Sequence, residues 1–239
     1  MRLYKGGRMK IPRAPHRFAI SPAEAIAVQR RLASRVAIRA IEKEPRWLAG
    51  VDCAFSADGA RCIAAVVLWD RETRQPVETR TAWRPLRFPY VPGLLSFREA
   101  PAILAALRKL RRTPDALLVD GHGYAHPRRF GIACHLGVLV GIPTVGVAKS
   151  RLCGEHAEPG ARRGERAPLT HNGDTLGSVL RTREGSKPIF VSIGNRVDLA
   201  SAEALVLAAD GGHRLPEPTR LADRAVAEEK RRASSARPS

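Results

Sequence analysis

The stretch from residue 47 to residue 83, WLAGVDCAFSADGARCIAAVVLWDRETRQPVETRTAW, decides how this chain is expected to fold. Three segments in it are predicted strands. Trp47–Phe55 and Cys62–Trp69 are apolar, and Val77–Trp83 alternates between apolar and polar residues. Short runs containing Asp-Gly and Gln-Pro separate the segments and favour tight turns. The stretch therefore predicts three consecutive antiparallel strands.

Downstream of this meander, helices alternate with short apolar strands. We expect a helix over residues 97–112, a strand at Ala116–Val119, a helix over residues 130–140 and a strand at Thr144–Ala148. Right-handed crossovers would place the later strands parallel to the first. Three antiparallel strands followed by helix, strand, helix and strand is the order of a ribonuclease H-like α/β fold, with a mixed sheet flanked by helices.

Other segments extend this unit at both ends. Ser21, Pro22 and Glu24 carry the signature of a helix start with a capping box, and the helix is predicted to run to about Ile41. Further strands are predicted over residues 170–183 and 188–193, with a turn at 184–186 between them, and further helices over 198–209 and 220–230.

We predict a single domain over residues 21–230. Residues 1–20 are basic and irregular, and they are expected to form a flexible arm. Residues 231–239 are basic and rich in Ser, and they are expected to form a disordered tail.

The charge of the chain favours a polyanionic partner. There are 41 Lys and Arg residues against 23 Asp and Glu, a formal net charge of +18. Most of the basic residues are Arg, whose planar fork donates two parallel hydrogen bonds to phosphate. Nucleic acid is therefore the expected partner, although an Arg-rich composition is also typical of a GC-rich genome.

Two further observations narrow the class of protein. No apolar run is long enough to span a bilayer, and the basic N-terminus lacks the apolar core of a signal peptide, so we expect a cytoplasmic protein with no membrane partner. The four cysteines show no Cys-x-x-Cys spacing that would indicate zinc or redox chemistry, and reduced, buried thiols are expected for Cys53 and Cys134.

Three carboxylates are the candidate catalytic groups. Asp52 lies inside an apolar strand, and Asp120 follows the strand Ala116–Val119. If these strands are neighbours, the two side chains face each other, and Glu99 at the start of the intervening helix can reach the same point. Carboxylates that converge without basic partners favour a hard divalent cation, Mg²⁺ or Mn²⁺. Any one of them alone would be better explained as a surface or capping residue.

Several blocks of the sequence carry a resemblance to a known family. They are FPYVPGLLSFRE at 88–99, DGHGYAHPRRFGIACHLGV at 120–138, IPTVGVAK at 142–149 and RLPEPTRLA at 214–222. Together they closely resemble the blocks of the endonuclease V family, in the same order. The match covers roughly residues 20–230, so that segment is the expected catalytic domain.

The resemblance implies a ribonuclease H-like nuclease that depends on Mg²⁺, with Mn²⁺ as a substitute. The implied reaction is that of deoxyribonuclease V, a DNA repair endonuclease that acts on deoxyinosine. It hydrolyses the second phosphodiester bond on the 3′ side of the lesion and leaves a 3′-hydroxyl and a 5′-phosphate. The expected partner is DNA containing deoxyinosine, bound by a monomer. Three alternatives stay open: an inosine-specific ribonuclease of the same family, a catalytically inactive homologue that binds nucleic acid, and a nuclease for RNA–DNA hybrids.

The resemblance also assigns roles to the charged residues. Asp52, Glu99 and Asp120 are the implied metal ligands. A further metal-shell position, often His in the family, is occupied here by Asp223, which can still hold a hard cation directly or through water. Lys149 ends an apolar strand and is expected to steady the scissile phosphate or to orient the attacking water.

The implied recognition elements are a wedge and a base pocket. The wedge is Pro89, Tyr90, Val91 and Pro92, in which two prolines stiffen the loop and Tyr90 stacks where the flipped base has left. Hypoxanthine offers an O6 acceptor and an N1–H donor, so a close pocket can reject adenine by polarity and guanine by size. Residues that match family pocket positions are Gly93, Leu95, Gly123, Ile132, Gly146 and Leu152.

Three histidines near the pocket invite a metal-cluster interpretation, but other roles are preferred. His135 is expected to pack in the interior. His126, together with Arg128, is expected to meet phosphate. His122 lies two residues after Asp120 and is expected to support the metal ligands.

Overall fold

The first helix, α1 (Pro22–Ala33), begins as predicted and ends earlier than predicted. In the computed structural model, which describes residues 9–235, Ser21 and Glu24 form a complete capping box. The predicted end at Ile41 is wrong because the chain leaves the helix at Ser34. Residues beyond that point cross the end of the sheet, where the backbone N–H of Ala37 donates to Asn195 Oδ1 at 2.9 Å.

The decisive stretch forms the predicted antiparallel meander. Strand β1 (Trp47–Phe55) pairs with β2 (Arg61–Asp70), and β2 pairs with β3 (Gln75–Pro85). All ten residues of β2 except the first are buried, which accounts for its continuous apolar run.

The centre of the sheet follows the predicted crossovers. Helix α2 (Leu95–Leu107) leads to β4 (Ala116–Asp120), which lies parallel to β1, and α3 (Ile132–Val140) leads to β5 (Thr144–Ala148), which lies parallel to β4. Apolar residues of both helices share one core with the side chains of β1 and β2 on that face of the sheet. The mixed α/β class predicted from the element order is confirmed.

The second half of the sheet differs from the prediction in one element. Residues 170–183, predicted as one strand, belong instead to a hairpin of β6 (Arg166–His171) and β7 (Asp174–Leu180). Asn172 and Gly173 form the turn with φ angles of 54° and 84°, the left-handed region that an Asn-Gly pair adopts readily. Strand β8 (Ile189–Asn195) completes the eight-stranded order β3-β2-β1-β4-β5-β8-β7-β6.

Two helices cover the other face of the sheet. Helix α4 (Leu199–Ala208) packs on the β5–β8 side, and α5 (Glu217–Ser235) lies across β1 and β2. The start of α5 touches β1 so closely that a Cβ atom on Gly50 would stand 2.0 Å from the Pro218 carbonyl carbon. Only glycine permits this approach, and it brings the first turns of α5 beside Asp52.

The ends of the chain are more ordered than predicted wherever the structure describes them. Met9 is buried, and Ile11 and Phe18 pack against the core, so the described part of the predicted flexible arm is attached to the domain. Helix α5 continues to Ser235, five residues into the predicted tail. Residues 1–8 and 236–239 lie outside the described residues.

The structure bears on two expectations about the class of protein, one about membrane-spanning segments and one about the cysteines. Over residues 9–235, no helix combines the length and the apolar character that crossing a membrane requires. All four cysteines are free thiols, with Cys134 buried and Cys53 only half-buried.

Candidate active site

Asp52 and Asp120 stand side by side at one edge of the sheet. β1 and β4 are parallel, and Val51 is paired with Val119, so the next residue of each strand is an aspartate. The register is set at the opposite end, where Asp115 Oδ2 accepts the backbone N–H groups of Arg46 and Trp47 at 3.0 and 2.8 Å. Asp52 lies five residues after Trp47, and Asp120 lies five residues after Asp115, so this hydrogen bond brings the two carboxylates level with each other.

Glu99 extends from α2 toward the same edge. Burial, reinforced by the charges of Asp52 and Asp120, raises the pKa of Glu99 to about 8. Burial, followed by the repulsion of Asp120, raises the pKa of Asp52 to about 7. We call Asp52, Glu99 and Asp120 the acidic edge. Its negative charges destabilise one another, which is the condition that a bound cation relieves.

Lys149 is the basic group at the acidic edge. It follows β5 directly, and its Nζ atom lies 2.7 Å from Asp120 Oδ2. Although partial burial opposes it, the hydrogen bond and charge of Asp120 raise the pKa of Lys149 above its ordinary value. Arg214 holds the backbone beneath this lysine, because its Nη2 atom donates to the carbonyl oxygens of Lys149 and Pro188, both at 2.8 Å.

The role of Arg214 was missed by the sequence reasoning. The residue lies in the block at 214–222 that resembles the family, so its presence was noted without a function. Little in the sequence indicates this role, because the contact joins residues 65 positions apart in the chain.

Asp223 lies on α5, exposed at the side of the acidic edge. Its charge contributes to the raised pKa values of both Asp52 and Lys149, so it stands within electrostatic reach of the edge. Among residues 9–235, no three His, Cys, Asp or Glu side chains lie close enough together to hold a metal ion as they stand. The donor chemistry fits a hard cation, since these four groups supply only carboxylate oxygens.

The predicted wedge loop projects from the surface above α2. Phe88 anchors it in the core, whereas the Tyr90 side chain is 73% exposed. Arg98 supports it from below, donating from Nη1 to the Phe88 carbonyl oxygen at 2.9 Å and lying 5.8 Å from the centre of the Tyr90 ring. An aromatic side chain held at this exposure has no role in the core.

A cavity of about 180 Å³ opens beneath the wedge loop and beside the acidic edge. Eight predicted substrate residues line it: Tyr90, Val91, Pro92, Gly93, Leu95, His126, Ile132 and Leu152. Five lining residues were not predicted to contact substrate: Gln29, Ser96, Gly121, His122 and Gly131. Pro89 stands outside the lining, at the exposed start of the loop.

Two glycines predicted for the pocket lie behind it instead. A Cβ atom on Gly123 would stand 2.1 Å from the Ile193 carbonyl oxygen, and one on Gly146 would stand 2.5 Å from the Gly123 backbone nitrogen. Both glycines therefore let β5, β8 and the loop after β4 approach closely beneath the cavity. Their placement in the pocket wall is wrong, because the space they leave is filled by neighbouring backbone.

The carbonyl oxygen of Gly93 is held by three donors. Gln29 Nε2, His126 Nε2 and Arg128 Nη2 each lie 2.9 Å from it, and Arg128 Nε donates to Gln29 Oε1 at 2.6 Å. We call Gln29, His126 and Arg128 the loop clamp. In the free protein the His126 ring is buried, and its Nδ1 atom accepts the Arg128 backbone N–H at 3.1 Å, so both ring nitrogens contact the protein; the phosphate contact stays a prediction.

The two other histidines agree with their predicted surroundings. His135 is fully buried among aromatic rings, as predicted. His122 follows Asp120 by two residues, lines the cavity and has its Nε2 atom 2.9 Å from the Ser150 carbonyl oxygen. Burial lowers the pKa of His122, so its ring is neutral and donates that hydrogen bond from Nε2.

Comparisons with known proteins place the chain in a family. The family model for endonuclease V matches residues 30–224. Endonuclease V of Trichormus variabilis is 49% identical over 211 residues, which cover 88% of this chain and 96% of that protein. The crystal structure of Streptomyces avermitilis endonuclease V has a TM-score of 0.86 and 44% identity, over 95% of this chain and 99% of that one.

A more distant structure was solved with nucleic acid. Ciona intestinalis endonuclease V, in complex with a 24mer DNA containing an inosine followed by a ribo-adenosine, has a TM-score of 0.78 and 27% identity, over 88% of this chain and 98% of that one. The family model spans most of the chain, and these relatives align over nearly their whole lengths. The resemblance drawn from the sequence blocks is confirmed, and this chain belongs to the endonuclease V family.

Proposed function

We propose that this protein is a DNA repair endonuclease that cuts a strand beside a deaminated purine. The proposed substrate is DNA containing deoxyinosine, and the proposed reaction is hydrolysis of the second phosphodiester bond on its 3′ side, which leaves a 3′-hydroxyl and a 5′-phosphate. The Ciona relative supports this substrate class through its complex with inosine-containing DNA. The net charge of +18 supports binding to a polyanion.

One observation carries the proposal. The acidic edge and the cavity are joined by consecutive residues, since Asp120 belongs to the edge while Gly121 and His122 line the cavity. A base held in the cavity therefore places its own strand across the carboxylates. A nuclease that reads only the shape of a hybrid helix has no use for such a cavity, and a binding protein without catalysis has no use for mutually repelling carboxylates.

The acidic edge is proposed to hold Mg²⁺, for which Mn²⁺ can substitute. Asp52, Glu99 and Asp120 would be the ligands, and Asp223 would act directly or through water. When bound, such an ion lowers the pKa of water and stabilises negative charge on phosphate. Lys149, held by Asp120 and by the Arg214 contact to its backbone, is proposed to neutralise the scissile phosphate and to orient it.

The cavity is proposed to receive the flipped base. Tyr90 would fill the gap that the base leaves, on a loop stiffened by Pro89 and Pro92 and supported by Arg98. Val91, Gly93, Leu95, Ile132 and Leu152 would enclose the base, with His126 holding the loop from behind. Gly123 and Gly146 are proposed to shape the cavity indirectly, by letting its floor pack closely.

A strand-cutting assay tests the proposal. Labelled duplexes with and without one deoxyinosine are incubated with the protein in Mg²⁺, and the products are sized at nucleotide resolution and treated with a phosphatase. We expect one cut, at the second bond 3′ to the lesion, and no cut in the plain duplex. An inosine-containing RNA and a plain RNA–DNA hybrid are run in parallel. Preferential cutting of either would replace the proposed substrate with the corresponding alternative, and no cutting of any strand would indicate a binding protein.

A further inference from the structure

The last turn of α1 carries exposed arginines next to the cavity. Gln29 lines the cavity, and Arg30 and Arg31 follow it directly in the chain. Both arginines are exposed, and so is Arg17 in the segment that precedes α1. We call Arg17, Arg30 and Arg31 the arginine patch. It belongs neither to the acidic edge nor to the residues that line the cavity.

Arg30 lies close to the loop clamp. Burial is the main cause of the lowered pKa of Arg128, and the positive charge of Arg30 lowers it further. Arg128 Nη2 in turn donates to the Gly93 carbonyl oxygen in the cavity wall at 2.9 Å. Arg30 therefore stands within electrostatic reach of the cavity, and a bound anion would relieve the repulsion between the two guanidinium groups.

Arg17 and Arg31 border the half-buried ring of His16. The Nδ1 atom of His16 lies 2.9 Å from the Arg17 carbonyl oxygen. Burial lowers the pKa of His16, and the positive charge of Arg31 contributes to the same direction. The Nε2 atom of His16 lies 2.8 Å from Nε2 of His135 on α3. This contact attaches the segment that carries Arg17 to the domain, on the same side as α1.

The charge of the arginine patch is not balanced by carboxylates. Other arginines pair with an acid, such as Arg129 with Asp174, but no such ion pair forms in the patch among residues 9–235. The acidic residue of α1, Glu24, lies at the other end of the helix and is bonded to Ser21. Basic residues at a carboxyl-terminal helix end also stabilise the helix, but this does not account for Arg17, which lies outside α1. Guanidinium groups without acidic partners favour phosphate as a ligand.

The arginine patch and the acidic edge lie on different sides of the cavity. Gly121 and His122 join the cavity to the acidic edge at the end of β4. Helix α1 instead packs on α3 and on the base of the wedge loop, in a cluster that includes Phe88 and Leu94 and no residue of β1 or β4. A strand that crosses the acidic edge and places a base in the cavity therefore continues toward α1.

We propose that the arginine patch binds the phosphodiester backbone of the lesion strand on the 5′ side of the flipped base. The inference rests on the proposed function, in which the cut falls on the 3′ side of the lesion. The 3′ flank then crosses the acidic edge, and the 5′ flank passes over the last turn of α1. The patch thereby adds a third point of contact, which fixes the direction in which the strand runs across the site.

The test measures which flank of the lesion each variant needs. Binding is measured in EDTA to labelled single strands in which deoxyinosine has flanking nucleotides on both sides, on the 5′ side only or on the 3′ side only. We expect the double variant Arg30→Gln/Arg31→Gln to lower affinity about tenfold wherever a 5′ flank is present, and less than twofold where only the 3′ flank is present. The slope of log affinity against log salt should fall by about 1.4 on the 5′-flanked strands, since each phosphate contact on a single strand contributes about 0.7.

A matched control and a further variant complete the design. Arg108→Gln/Arg111→Gln removes two exposed arginines just beyond the carboxyl-terminal end of α2, the helix that carries Glu99 near its other end. The change in net charge is the same, and affinity for all three strands is expected to stay within twofold. Arg17→Gln leaves α1 intact and is expected to lower affinity about threefold on the 5′-flanked strands alone. Thermal unfolding of every variant is measured alongside.

The outcomes separate the inference from the proposed function. If the wild type does not prefer deoxyinosine over deoxyadenosine at the same position, the proposed function fails. If it does, and the Arg30→Gln/Arg31→Gln protein binds the 5′-flanked strands like the wild type, the role of the patch is overturned. A loss of equal size on the strand with only a 3′ flank, or in the Arg108→Gln/Arg111→Gln protein, also overturns it. If the double variant of α1 does not fold, unchanged binding by Arg17→Gln overturns the inference.

Discussion

The acidic edge and the neighbouring cavity differ in how their polar groups are satisfied. At the acidic edge, burial raises the pKa of Asp52 and Glu99, the charge of Asp120 adds to this for both, and Asp120 itself is paired with Lys149. In the cavity wall, one carbonyl oxygen receives three N–H donors, and the hydroxyl of Ser96 is bonded to His135.

This difference separates recognition from cutting. In the cavity wall, the Gly93 carbonyl oxygen and the Ser96 hydroxyl already have hydrogen-bond partners within the protein. The charges of the acidic edge repel one another, a repulsion that a bound cation would relieve. Changes at the two regions should therefore have different signatures, one in binding selectivity and the other in the rate of hydrolysis.

The largest effect is expected at the acidic edge. Asp52→Ala and Asp120→Ala should each lower the single-turnover cutting rate in Mg²⁺ by about 100- to 1000-fold or more, because charge stabilisation at the phosphate is lost. Binding to inosine DNA in EDTA should stay within about threefold of the wild type, a factor worth about 0.6 kcal/mol.

Glu72→Ala is the control for this experiment, because Glu72 is an exposed carboxylate after β2, at the opposite edge of the sheet. It should cut normally. Substantial cutting by Asp52→Ala or Asp120→Ala would show that these carboxylates are not the metal ligands.

The next effect is expected at the wedge. Tyr90→Ala should weaken binding to inosine duplexes by about tenfold or more, because stacking of a base on an aromatic ring contributes roughly 1–3 kcal/mol. Binding to the plain duplex should change much less, since it depends on phosphate contacts. Parallel titrations of both duplexes measure the difference, and an equal loss on both would assign Tyr90 a structural role.

A third prediction uses the neutral histidines behind the cavity. Burial lowers the pKa of His135 to about 3 and that of His126 to about 4. A folded pKa below the unfolded value near 6.5 means that the unfolded chain binds more protons, so stability is present above pH 6.5 and is lost as the pH falls. From pH 6.5 to 5.5, each ring should cost about 1 kcal/mol of the free energy of unfolding.

Denaturant unfolding at both pH values checks this prediction. His126→Gln should reduce the pH dependence of the free energy of unfolding. An equal free energy of unfolding at pH 6.5 and 5.5 would mean that the rings are not held neutral.

The smallest effect is expected at the loop clamp. Gln29→Leu removes one of the three donors to the Gly93 carbonyl oxygen, the donor to the Phe130 carbonyl oxygen and the acceptor of Arg128 Nε, while the other two donors to Gly93 remain. Loss of such a bond corresponds to about 1 kcal/mol, or about fivefold in affinity for inosine DNA. The same substitution at the exposed Gln75 should have no effect. Unchanged inosine affinity in Gln29→Leu would show that the loop does not need its clamp.

The meander and the two central aspartates could be predicted from the sequence for a local reason. A strand buried on both faces is continuously apolar, so the carboxylate of Asp52 stands out inside it, and Asp120 marks the end of another such strand. The hairpin at Asn172–Gly173 carried an equally local signal that the sequence reasoning overlooked.

Other features had no local signal. The helix α1 was predicted to continue to Ile41 because nothing in residues 34–41 forbids it, and the chain leaves the helix to bond with Asn195, 158 positions away. Gly123 and Gly146 were placed in the pocket because a glycine pattern does not reveal which backbone fills the space beside it.

The sequence by itself determined the fold class and singled out Asp52 and Asp120, because periodicity, charge and turn chemistry act between neighbours in the chain, whereas the wedge was implied by the resemblance of the sequence blocks to the family. Only the tertiary structure decided which groups build the cavity wall. Gln29 reaches Gly93 across 64 positions, and His16 reaches His135 across 119. Hydrogen bonds over such separations depend on how helices and loops pack on the sheet, which no pattern along the chain encodes.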